Sequence, residues 1–182
     1  MKTIKQQLKE KHHLSNYQIA QLTFLVKTLF SEVSKTLIMA VIFYNQLPNY
    51  FFALLIMIIL RCSTGGIHFY TYAGCLTTSI LFLWLGVVLL PNIEIPLSFR
   101  LILLLLSIFS CYYVGPIPSK YRPTYDKQFI NRCKRISAFF IFFYTIILYI
   151  MPESQFLIVG FWIIILHSMQ LIIAKITRKE VQ

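Results

Sequence analysis

Apolar residues fall in blocks at about 36–47, 49–60, 76–90, 101–114, 136–151 and 155–174, and the stretches between them hold most of the prolines and cations. A straight helix needs about 20 residues to cross a hydrocarbon core of roughly 30 Å, so the longer blocks predict membrane helices and the shorter ones predict helices that borrow flanking residues. The first block can extend back to Leu29, where Glu32 and Lys35 are spaced i,i+3 and can pair to lower their cost near the interface. The second reads either as a full crossing or as a re-entrant half-span ending at Arg61. Residues 14–35 carry a different pattern. Leu14, Ile19, Leu22, Leu25, Val26 and Leu29 recur near i,i+3 and i,i+4, which predicts an amphipathic helix lying on the membrane surface or packed on a second subunit in a homodimer. The predicted fold class is an all-α integral membrane protein. It has about six transmembrane or re-entrant helices and an amphipathic N-terminal helix, in a single polytopic membrane domain over 1–182.

Composition supports that class. With 58% hydrophobic and 16% aromatic residues, 182 residues cannot hide their apolar surface inside one small globule, so lipid must be the solvent. The formal charge of +11 does not indicate nucleic acid, because the cations sit between or outside the apolar runs. Their distribution orients the chain. If the N-terminal region 1–35, with Lys2, Lys5, Lys9 and Lys11, is cytoplasmic, the other inside segments are 61–75, 115–135 and 175–182. The outside loops 45–50, 91–100 and 151–155 then hold only Arg100, whereas the basic loop 115–135 holds Lys120, Arg122, Lys127, Arg132, Lys134 and Arg135. Both termini are therefore expected in the cytoplasm. The first 27 residues lack the apolar core and small-residue cleavage site of a secretory leader, so the first span is expected to direct insertion.

Candidate chemistry concentrates in the inside segment 61–75. Arg61-Cys62-Ser63-Thr64-Gly65-Gly66-Ile67-His68, followed by Cys75, supplies a cation, two glycines, a base and a thiol beside apolar flanks that exclude water. On one straight helix positions 68 and 75 would be about 10.5 Å apart along the axis, too far for proton exchange, so the chain between them must fold back. Gly65, Gly66 and Gly74 permit that reversal. Cys75 is expected in the first turn of the helix over 76–90, where the helix dipole favours thiolate and backbone N–H groups can meet an oxyanion. Ser79 lies one turn further on, and Asp126 shares the compartment, but the spacing assigns neither as a third catalytic member.

Each of these residues also has a structural reading. His68 can be an interfacial histidine bonded to a carbonyl, Cys75 a small packing residue with Cys62 as its rival thiol, and Arg61 an anchor at phosphate headgroups. Cys62, Cys75, Cys111 and Cys133 form no C-x-x-C arrangement, which indicates neither a disulfide framework nor a zinc site, and no cofactor is expected. His12, His13 and His167 lack a partner pattern and receive no role.

Arg61, Gly65, Gly66, His68 and Cys75 resemble the core motif of the accessory gene regulator protein B (AgrB) family, membrane cysteine endopeptidases that process peptide pheromone precursors in Gram-positive bacteria. The likeness covers nearly the whole chain, although Val114-Gly115-Pro116-Ile117-Pro118 and Tyr121-Arg122-Pro123 match the family's Pro-rich segment only loosely. The resemblance implies that Cys75 is the nucleophile and His68 its base, with Arg61, Gly65 and Gly66 supporting the site; Ser79, outside the matched motif, is a supporting candidate only by its place one turn past Cys75. It also implies an AgrD-like precursor as partner in the bacterial cell membrane. The basic loop 120–135 reads most simply as inside charge, and its second reading is that Lys120, Arg122 and Lys127 meet acidic residues of such a precursor. A Cys or Ser of the precursor would close a thiolactone or lactone ring on the thioester. Two other readings remain: a non-enzymatic transporter or export accessory, which expects no essential thiol, and an acyltransferase in which Cys75 takes a lipid acyl group.

Overall fold

A computed structural model describes residues 16–66, 71–117 and 126–179. The chain separates into two compact units, Met1–Tyr44 and Asn45–Gln182. In the first, α1 runs over Asn16–Ile42 as one helix. The predicted pairing within it forms: Lys35 Nζ donates to Glu32 Oε1 at 2.7 Å, one turn apart. The block at 36–47 is therefore not an element of its own. It is the end of α1 followed by a turn at Phe43 and a 3₁₀ turn at Tyr44–Gln46. Asn45 and Pro48 break the apolar run here, and both disfavour a continued helix.

The second unit is all-helical among the described residues: α2 (Leu47–Thr64), α3 (Tyr72–Trp84), α4 (Leu97–Val114), α5 (Lys127–Ile150) and α6 (Gln155–Lys179). α3 passes into a π-helical stretch at Leu85–Leu89 and a 3₁₀ turn at Leu90–Asn92, where Pro91 withholds an N–H from the helical ladder. Five helices among the described residues are long and apolar enough to cross a membrane: Tyr44–Thr64, Tyr72–Asn92, Leu97–Val114, Lys127–Ile150 and Gln155–Thr177. Only such a ladder satisfies backbone groups in hydrocarbon, where no water can. By length and composition α2 is long enough for a full crossing.

Two predicted loops are shorter than expected. α2 continues through Arg61 to Thr64, and α5 begins at Lys127, so Lys127, Arg132, Lys134 and Arg135 lie on its first turns and not in a loop. Lys, Arg and Gln are good helix formers whose long stems lie along apolar surface while the charge reaches outward, so a charged run extends a membrane helix instead of ending it.

α6 is the central helix. It packs on α2, α4 and the π-helical stretch, while α5 packs on α4 and α2. Val159, Phe161, Ile163, Ile164, His167 and Leu171 of α6 are almost fully buried. Lipid is as apolar as these side chains, so their burial stabilises by close packing and not by dehydration. Small residues make that packing possible. A Cβ at Gly160 would overlap the Tyr144 hydroxyl, which donates to Leu157 O, and would sit 3.0 Å from the Phe52 ring. Ala53, Ser107, Ser137 and Ser168 are likewise buried, each serine giving its hydroxyl proton to a carbonyl one turn back.

Candidate active site

The end of α2 is where the glycine motif acquires its geometry. Gly65 terminates the helix with φ +76° and ψ −148°, and its N–H bonds Arg61 O at 2.9 Å. That part of conformational space is essentially reserved for glycine. Space is equally restrictive: a Cβ at Gly65 would lie 2.7 Å from Ile117 O, a backbone atom that cannot rotate away. Ile117 N donates to Thr64 O at 3.0 Å, pairing 65 and 117 in a short parallel bridge after a cis Gly115–Pro116 bond. The described beginnings of the segments 61–75 and 115–135 are thus joined to each other backbone to backbone.

Beneath that seam lies a buried polar cluster. Thr64 Oγ1 donates its one proton to Leu60 O at 2.8 Å, so it accepts from His167 Nε2 at 2.7 Å. His167 then presents Nδ1 as an acceptor, and that atom has no hydrogen-bond partner among the described residues. Gln170 Oε1, one turn further along α6, is also buried and without a partner among them. Gly66 adjoins the cluster: a Cβ there would stand 3.9 Å from both Arg61 Nε and Gln170 Oε1. His167, given no role by sequence reasoning, is 0% exposed and central to this arrangement. The available signal was compositional, since His167, Ser168 and Gln170 interrupt an otherwise apolar stretch of α6, and polar groups inside membrane helices mark functional sites.

The nucleophile candidate sits on a different element. Cys75 is in the first turn of α3, its N–H bonding Thr71 O at 3.1 Å, while Thr71 caps the helix by accepting from Gly74 N at 3.2 Å. Side chains lean toward the N-terminal end of a helix, where the dipole is positive, so a group placed here faces that partial charge. Ser79, one turn on, is buried. Cys75 is half-buried, its rival Cys62 is exposed, and Cys111 and Cys133 are buried; none of the four is in a disulfide. His68, Lys120 and Arg122 lie outside the described residues. Lys127 is exposed at the first position of α5, next to Asp126. No group of three His, Cys, Asp or Glu suited to a metal occurs among the described residues. The geometry therefore joins Arg61, Gly65 and Gly66 to Ile117 and Gln170, and sets Cys75 and Ser79 together on α3.

Five long apolar helices joined by short connections, with a half-buried thiol at the start of one of them, define a multi-pass helical membrane protein. The profile of the family described as Accessory gene regulator B matches residues 1–173, and the chain belongs to that family. Membership connects it to accessory gene regulator quorum sensing. An AgrB-like protein of Clostridium beijerinckii is 28% identical over 143 residues, covering 76% of this chain and 70% of that one. No solved structure matches.

Proposed function

We propose that the protein is a membrane cysteine endopeptidase that removes the C-terminal tail of a peptide pheromone precursor and leaves the remaining peptide as a thioester ready to cyclise. The observation that carries this reading is a half-buried cysteine in the capped first turn of a membrane helix, in a chain of this family. His68 takes the Cys75 proton; the sulfur attacks a backbone carbonyl carbon, and the oxyanion develops near the positive end of α3. Collapse of the tetrahedral intermediate breaks the C–N bond, His68 returns the proton to the departing amine, and the acyl group stays on sulfur. A thiol or hydroxyl of the precursor then attacks the thioester, closing the ring and freeing Cys75.

The glycine turn supports this chemistry by fixing the exit of α2 immediately before His68. Arg61 and Ser79 support the site, and Lys127, with Lys120 and Arg122, meets acidic residues of the precursor. On the charge distribution, both termini are cytoplasmic and the site faces the inner leaflet. The test is incubation of the purified chain in lipid vesicles with candidate precursor peptides, followed by mass analysis. A released tail together with a product lighter by one water than the hydrolysed acid supports the reading. A hydrolysed acid alone would remove the cyclising step, and an intact precursor would remove the reaction.

A further inference from the structure

α5 carries a groove that the peptidase reading does not use. Arg132, Arg135, Ile136, Phe139, Phe140 and Phe143 line it, and Ile59 of α2 forms its opposite wall, enclosing about 660 Å³. These α5 positions follow the i, i+3, i+4, i+7, i+8, i+11 stripe of a single helical face. The stripe is polarised. Two guanidiniums occupy the end nearest the start of α5, and every position beyond them is apolar. Phe139 and Phe143 are more than half exposed, so the groove opens outward toward lipid.

Its apolar length fits within one leaflet. From Ile136 to Phe143 a helix rises about 10 Å, within the roughly 15 Å of half a hydrocarbon core of about 30 Å. The apolar run of α5 from Ile136 to Ile150 then lies in hydrocarbon, and Arg132 and Arg135 stand at headgroup depth. No carboxylate lines the groove, and among the described residues neither arginine meets one at ion-pair distance; the Arg135 Nε contact is to Asn131 O at 3.4 Å on its own helix. Paired guanidiniums without a carboxylate partner among the described residues, above an apolar trough about 10 Å long, match the two ends of one molecule.

We infer that this groove is a binding site for an anionic phospholipid, its phosphate held by Arg132 and Arg135 and one acyl chain lying along Phe139, Phe140 and Phe143 against Ile59. The bound lipid bridges α5 to α2, the helix that ends in the Gly65 turn. An acidic amphipathic peptide would meet the cations equally well, but the outward opening into hydrocarbon and a length within one leaflet favour lipid.

The test uses the full chain purified from detergent, with phosphatidylglycerol and phosphatidylcholine added and lipid adducts counted by native mass spectrometry. Wild type is expected to retain phosphatidylglycerol preferentially, and Arg132→Gln/Arg135→Gln to weaken that retention roughly thirtyfold with phosphatidylcholine unchanged, as two charge contacts near a membrane surface would. Lys127→Gln/Lys134→Gln removes the same charge from the same helix outside the groove and is expected to weaken retention far less than the arginine variant. Phe140→Trp should report the site directly, its fluorescence quenched by brominated phosphatidylglycerol more than by brominated phosphatidylcholine. Equal losses in the two charge variants, no preference between lipids, or displacement of phosphatidylglycerol by a soluble acidic peptide would each overturn the proposal. Because none of these readouts requires turnover, the inference stands or falls separately from the peptidase reading.

Discussion

At the scale of single residues, Gly65 is the most constrained position in the motif. Its backbone conformation and the 2.7 Å approach to Ile117 O act together, so a methyl group there meets both conformational and steric resistance. Gly65→Ala is expected to destabilise the chain by about 1–3 kcal/mol, the cost of holding a side chain in a region reserved for glycine. The measurement is the unfolding midpoint in mixed micelles, alongside the processing rate. A variant with wild-type stability would mean that the turn relaxes without cost. Gly66 is different: the atoms nearest a Cβ there are 3.9 Å away, an ordinary contact, so any loss of activity at Gly66 would reflect the approach of Arg61, Gln170 or substrate and not backbone strain. The two adjacent glycines look equivalent in the sequence. The backbone angle and the space around each position separate them.

At the scale of elements, the Thr64–His167 hydrogen bond ties the end of α2 to the central helix α6. Thr64→Val keeps the shape of the side chain but leaves the His167 Nε2 proton buried without an acceptor, at a cost of about 1–2 kcal/mol. Thr64→Ser restores the acceptor and should recover most of the loss. The comparison is made by denaturant titration of the two variants, and equal stability of Thr64→Val and wild type would show that the bond contributes nothing. This contact shows where sequence reading stops. The helices α3 to α6 were legible because lipid forces apolar runs into hydrogen-bonded helices. Their charged ends were not: α5 begins at Lys127, well before the apolar block at 136, because charged residues with good helix propensity continue the ladder into the headgroup region. The Gly65 turn and the position of Cys75 in the first turn of α3 were legible from local residue types. The role of His167 was not, since its partner lies 103 positions away and no local pattern encodes that pairing.

At the scale of the whole molecule, the proposed topology puts the proposed chemistry, the glycine turn and the cations of α5 in one thin layer near the inner membrane face. A peptide precursor confined to the same interface would reach Cys75 by diffusion in two dimensions, and apolar flanks would slow hydrolysis of the thioester long enough for ring closure. The central claim is that Cys75 carries the acyl group. It is tested most directly by stopping the reaction with acid soon after mixing the vesicle-embedded protein with precursor, and then locating the adduct by peptide mass analysis. The expected result is a hydroxylamine-sensitive mass increase on the fragment containing Cys75, equal to the precursor without its tail and absent in Cys75→Ala. Undiminished tail removal by Cys75→Ala, or an adduct on Cys62 instead, would contradict it.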